Sequence, residues 1–239
     1  MNDVSRRRFL AAGVTGVALA AMEGCTDLGG ESETSLGLPM PPIDVDDLAW
    51  AHVRERFILE SEIAYMNNAS LGMPPHMVAK AVCDGYEAIS REPLHGKHDL
   101  QEIIAEQVVP GLAAYFGVDE GEMSLTRNAT EALHLQAMGL ILKPGDEVLV
   151  TSQEHPAGNS PWMLRAERHG IRVSEVFIPS PFDSGEQVVD LMESAITPRT
   201  RALSFCHVTR GGHLYPVKEI SEMAHRHGIL SLVDGAQAV

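Results

Sequence analysis

Four short segments carry side chains whose type and spacing could do chemistry. In Leu232-Val-Asp234-Gly-Ala-Gln237 an apolar run ends in an acid followed by glycine. A carboxylate buried at a strand end is costly unless a cation faces it. A protonated pyridine nitrogen is such a cation, and the pairing would keep that ring an electron sink; the same acid could instead cap the next turn. In Thr126-Arg-Asn-Ala-Thr130-Glu-Ala-Leu a strand candidate gives way to a helix, whose free N–H groups and nearby hydroxyl suit a phosphate. Asn128 or Thr130 acting only as the helix cap is the alternative. Glu154-His155-Pro-Ala-Gly-Asn159 follows another apolar run, so His155 could lay its flat ring on a ligand ring, although the chain has eleven histidines. Ser204-Phe-Cys-His207-Val-Thr209-Arg210-Gly-Gly212 ends a third run; Thr209 and Arg210 either face a ligand or cap the loop, and the paired glycines permit close backbone approach.

These segments need a scaffold that brings strand ends together. Apolar runs at Met123–Thr126, Glu147–Ser152, Arg172–Phe177, Ala202–Val208 and Ile229–Val233 read as strands. Helical patterns lie between them at Ala129–Leu142, Ala157–His169, Gln187–Ala195 and Val217–His227. That alternation predicts an α/β fold with a mostly parallel sheet and helices on both faces. Ligands of such sheets gather at the carboxyl ends of the strands, where all four segments fall. Upstream, the pattern predicts a helix from Asp44 to about Leu59, a short strand at Ile63–Asn67, and a helix from Pro75 to Arg91. A further helix is expected from Asp99 to about Tyr115, bent or broken at Pro110.

The 239 residues, 44% of them apolar and only 5% aromatic, suffice for one substantial core. A formal charge of −15 argues against nucleic acid and anionic membrane surfaces as partners. The three cysteines show neither a CxxC nor a Cys/His spacing for zinc, so no metal site is expected. No strand candidate is followed by G-x-G-x-x-G, which excludes a dinucleotide-binding Rossmann domain.

The N-terminus reads differently. Ser5-Arg6-Arg7-Arg8-Phe9-Leu10 precedes the apolar stretch Ala11–Met22, a basic region before a short Ala/Gly-rich one. The string resembles a twin-arginine signal, so residues 1–24 are expected to direct export by that machinery to the periplasm or cell envelope. Ala18-Leu19-Ala20 offers small residues for cleavage, whereas Glu23 makes Met22-Glu-Gly-Cys25 a poor lipid-attachment box; a lipid anchor at Cys25 stays open. Residues 25–43 read as a flexible linker, leaving 44–239 as the folded part.

In order and spacing, Tyr65-Met-Asn-Asn68-Ala-Ser-Leu-Gly72, the Thr-Glu-Ala box at Thr130, Glu154-His155, His207-Val-Thr209 and Val233-Asp234-Gly-Ala-Gln237 resemble the class V aminotransferase family. That family includes the cysteine desulfurases and isopenicillin-N epimerase-like enzymes, and the resemblance spans Ile63 to Val239. It implies the large domain of the PLP-dependent transferase-like fold (the aspartate aminotransferase fold), with pyridoxal 5'-phosphate as cofactor. Carried over by position, Ala129 and Thr130 would hold the phosphate and His155 would stack on the pyridine ring. Asp234 would pair with the ring nitrogen, Gln237 would bond the phenolic oxygen, and Thr209 would contact the cofactor. Asn68 and Arg210 would lie by the substrate; a guanidinium suits a substrate carboxylate. The implied activity is amino-acid chemistry through a Cα carbanion by an aminotransferase, epimerase or desulfurase-like lyase, in a homodimer.

The chain departs from the family pattern at His134 and Arg210, where asparagines are frequent. The resemblance also puts the Schiff-base lysine about two dozen residues beyond Asp234. Val239 comes first, and Lys80, Lys97, Lys143 and Lys218 stand in no matching motif. The sequence is therefore expected to be a C-terminally truncated piece, inactive by itself. The alternative is a non-catalytic exported binding or scaffold protein with a degenerate form of the fold.

Overall fold

The computed structural model describes residues 47–68 and 70–238. The export signal at 1–24, the linker at 25–43 and Cys25 lie outside the described residues. The chain divides into two compact units between Met123 and Ser124.

The first unit is helical: α1 (Asp47–Arg54), α2 (His76–Arg91), α3 (Pro93–Ile103) and α4 (Val109–Phe116). Pro93 opens α3 at its first position, where a missing N–H costs nothing, so the helix starts six residues before the expected Asp99. Ahead of Pro110 the chain forms a π-helical turn over Ile104–Val108, and Pro110 then sits in the first turn of α4. The register change, not a break, accommodates the proline. Where α2 meets α3, a Cβ on Gly96 would fall 2.7 Å from the carbonyl of Ala88, so only glycine fits. Ile63–Asn67 is not a strand; Phe57 and Pro75 form an isolated bridge instead. An apolar run of this length becomes a strand only where a partner supplies hydrogen bonds. The run at Met123–Thr126 is likewise not a strand.

The second unit alternates α5 (Ala129–Gly139), β1 (Glu147–Thr151), α6 (Pro156–His169), β2 (Arg172–Val176), α7 (Gly185–Ser194), β3 (Thr200–Cys206), α8 (Val217–Arg226) and β4 (Leu230–Asp234). The strands form one parallel sheet in the order β2-β1-β3-β4. β1 is buried throughout, as expected for a strand covered on both faces. Its alternate residues enter different cores. Val148 and Val150 pack with Ala137 of α5 and Trp162 of α6, while Leu149 joins Leu203, Phe205 and residues of α7 and α8 on the other face. The Trp162 indole N–H donates to the Ser204 hydroxyl at 2.9 Å, tying α6 to β3. Arg165, also buried, donates to the carbonyls of Ala137 and Leu140 and so closes the C-terminal end of α5. Among the described residues no helix is long and apolar enough to cross a membrane.

Candidate active site

Strand order fixes where a ligand can enter. The chain leaves β1 towards β2 on one side and leaves β3 towards β4 on the other, so the connections diverge and open a crevice at the carboxyl ends of β1 and β3. Glu154 fills the floor of that crevice. Its side chain folds back so that Oε1 accepts from the Thr151 hydroxyl at the end of β1 and from the Cys206 amide, at 3.1 Å, at the end of β3. The Tyr215 hydroxyl donates to Thr151 Oγ1 at 3.3 Å, extending the network. Burial pushes the Glu154 carboxyl up to about 7, hydrogen bonds from the Thr151 hydroxyl and from the Cys206 amide and thiol oppose that rise, and the charge of Asp234 adds to it. Burial likewise pushes the Cys206 thiol and the Tyr215 phenol well above their ordinary values.

Asp234 ends β4 directly opposite Cys206. It is 8% exposed, and its Oδ1 accepts from the Ala236 amide at 3.0 Å. The turn-capping role open from the sequence is thus present, but it occupies one oxygen. Oδ2 lies toward Gly158 in the first turn of α6, 4.0 Å from where a Cβ on that glycine would stand. Among the described residues no Lys, Arg or His forms an ion pair with Asp234.

His155 is the N-cap of α6, with Nδ1 accepting from the Ala157 amide at 3.1 Å and Pro156 at the first helical position. The bond fixes the ring at the mouth of the crevice and leaves His155 exposed. His155, Gly158, Glu154 and Asp234 therefore converge on one end of the sheet.

At the start of α5, Asn128 is the cap, its Oδ1 accepting from the Glu131 amide at 2.9 Å. Ala129 and Thr130 are the first two helical residues and both are exposed, so their N–H groups point out of the helix end without intrahelical partners. Arg127 pairs with Glu131 at 2.8 Å and, together with a bond from its own amide, holds that carboxyl down to about 2. His134 hydrogen-bonds to the Thr130 carbonyl at 2.8 Å, one turn back.

The remaining sequence candidates are placed less uniformly. Thr209 is buried, and its hydroxyl accepts from the His213 amide at 3.0 Å, holding the turn before α8. Arg210 is exposed beside it. Gln237 is exposed with φ of 69°, a left-handed conformation uncommon outside glycine. Asn68 belongs to the first unit, in an exposed turn that the Tyr65 hydroxyl organises by donating to the Asn67 and Leu71 carbonyls at 2.9 and 2.8 Å.

Glu154, beside His155, has no role that its sequence position alone reveals. The available signal was an acid two residues past a strand as apolar as Glu147–Ser152, where an exposed loop residue and a folded-back one look alike.

The aminotransferase class-V family model matches residues 64–239. The chain belongs to that family. Pyridoxal 5'-phosphate is the family's cofactor, and the donor set fits it: the buried Asp234 carboxylate, which no Lys, Arg or His pairs among the described residues, the exposed His155 ring that caps α6, and the exposed Ala129 and Thr130 at the start of α5. Among curated relatives, a protein named "Probable cysteine desulfurase" from Halobacterium salinarum is 35% identical over 212 residues, covering 82% of this chain and 49% of the relative. An isopenicillin N epimerase from Amycolatopsis lactamdurans is 31% identical, covering 80% of this chain and 48% of the relative. A solved structure of C-DES with glycine covalently linked to its PLP cofactor superposes with a TM-score of 0.71 at 27% identity, over 78% of this chain and 50% of that one. The chain thus spans about half the length of the curated relatives it matches.

Proposed function

We propose that this chain supplies the ring- and phosphate-binding side of a pyridoxal-phosphate enzyme that acts on an amino acid at Cα, in the manner of the desulfurase and epimerase relatives. The observation that carries the reading is Asp234, a buried carboxylate at a strand end with one oxygen fixed by an amide and no cationic partner among the described residues. A protonated ring nitrogen is the partner that would make its burial favourable.

Each residue then has a definite task. Asp234 keeps the ring nitrogen protonated, and His155, locked by its capping bond, presents its ring to the cofactor's face. The amides of Ala129 and Thr130 and the Thr130 hydroxyl receive the phosphate, with the α5 dipole favouring its charge. Gln237 meets the phenolic oxygen, Thr209 shapes the turn beside the ring, and Arg210 serves the substrate. When bound, the cofactor withdraws electrons from the substrate Cα, the step shared by transamination, racemisation and β-elimination. The enzyme would be a homodimer, exported by the twin-arginine route with its cofactor already in place.

The test is binding of pyridoxal phosphate to the full-length protein and its Asp234→Asn variant, followed by dialysis and absorbance. A loss of affinity of at least ten-fold in the variant supports the reading; equal affinity removes it.

A further inference from the structure

Glu154 has one saturated oxygen and one that is not. Both donors, the Thr151 hydroxyl and the Cys206 amide, serve Oε1. Oε2 instead lies 3.6 Å from the position of a Cβ on Gly158, the same point that Asp234 Oδ2 approaches. The side chain is 5% exposed. Other groups facing it are the Cys206 thiol from β3, the Tyr215 phenol from the segment after β3, and Asp234 from β4. None of these brings a positive charge.

Resting on the reading of Asp234 as partner of the ring nitrogen, we propose that Glu154 is a positioning residue that holds a proton on Oε2 in the ligand-free protein and releases it when a cationic ring docks against Asp234. Glu154 and Asp234 are 5% and 8% exposed and approach one point above Gly158; burial disfavours the charged form of Glu154 and the Asp234 charge adds to that, so Glu154 retains its proton. Since the Thr151 hydroxyl and the Cys206 amide both point at Oε1, the proton belongs on Oε2, the oxygen that approaches the same point above Gly158 as Asp234 Oδ2. A docked pyridinium changes that balance. It offsets the Asp234 charge, while Glu154, already out of water, loses little further hydration. The Oε2–H bond then breaks and the proton passes to solvent; no redox partner is involved. By linkage, whatever releases the proton on binding also makes binding pH-dependent.

Isothermal titration of the full-length protein with pyridoxal phosphate at pH 7, in two buffers of different ionisation enthalpy, counts protons released on binding. The wild type should release up to about half a proton more than Glu154→Gln, because a carboxyl titrating near that pH is half protonated before binding. Gln keeps an oxygen acceptor for both donors and removes only the titration. Equal proton counts, with binding still dependent on Asp234, would overturn this inference and leave the site reading intact. Unchanged binding in Asp234→Asn would overturn both. Should Glu154→Gln not fold, the wild type alone suffices. The infrared carbonyl band of a protonated buried carboxyl should disappear on addition of pyridoxal phosphate, and its persistence would contradict proton release.

Discussion

Glu154 and Asp234 present carboxylate oxygens, Oε2 and Oδ2, to one spot above Gly158, 3.6 and 4.0 Å from where a Cβ there would stand. The two acids come from different places along the sheet edge, Glu154 three residues after β1 and Asp234 at the end of β4, with β3 between those strands. Burial, with the Asp234 charge adding to it, raises the Glu154 carboxyl above its ordinary value.

Glu154 should make the fold less stable as pH rises. Its carboxyl sits at about 7 in the folded protein against an ordinary 4.5, so the folded state holds the proton through that window. The resulting stabilisation is full below the lower value and is lost as pH climbs through the upper one, a change on the order of 3 kcal/mol. Urea unfolding at pH 5 and pH 8 should show a larger fall in the wild type than in Glu154→Gln. Equal falls would mean that the acid titrates normally.

Glu147, at the other end of β1, should behave in the opposite sense. Burial disfavours its charge, but hydroxyls of Thr197, Thr200 and Ser174 donate to it and bring its carboxyl below the ordinary value. Its contribution is therefore present above the unfolded value and lost as pH falls. Glu147→Gln should destabilise at pH 7 and lessen the acid sensitivity of unfolding; an unchanged acid limb would rule the role out.

Thr130→Val should separate phosphate from ring binding. Loss of one hydrogen bond to a charged phosphate corresponds to about a ten-fold weaker affinity for pyridoxal phosphate. Affinity for pyridoxal, which lacks the phosphate, should not change. Parallel loss for both ligands would place the phosphate elsewhere.

Trp162→Ala should cost about 3–5 kcal/mol, because the indole is buried between α6 and the sheet and its N–H is the partner of Ser204. Thermal and urea denaturation measure this directly. A loss below 1 kcal/mol would show that α6, and His155 at its head, is positioned by other contacts.

Much of this architecture was legible in the sequence, for physical reasons. Strands β1 and β3 are covered on both faces, so their centres read as consecutive apolar residues, Val148-Leu149-Val150 and Ala202-Leu203, rather than as alternation. Asp234 and His155 stood out because each is a polar residue at the end of such a run. The runs at 63–67 and 123–126 misled because periodicity cannot reveal whether a pairing partner exists. Pro110 marked a disturbance but not its form, a π-helical turn ahead of a new helix start. Glu154 was hidden for a related reason. Its second donor, the Cys206 amide, is 52 residues away and arrives only when β3 pairs with β1.

The most direct measurement is a crystal structure of the full-length protein with pyridoxal phosphate. The expected result has the ring nitrogen within hydrogen-bond distance of Asp234 Oδ2, the His155 ring against the cofactor's face, and the phosphate on the Ala129 and Thr130 amides. A cofactor seated away from the carboxyl ends of β1, β3 and β4, with Asp234 unpaired, would contradict it.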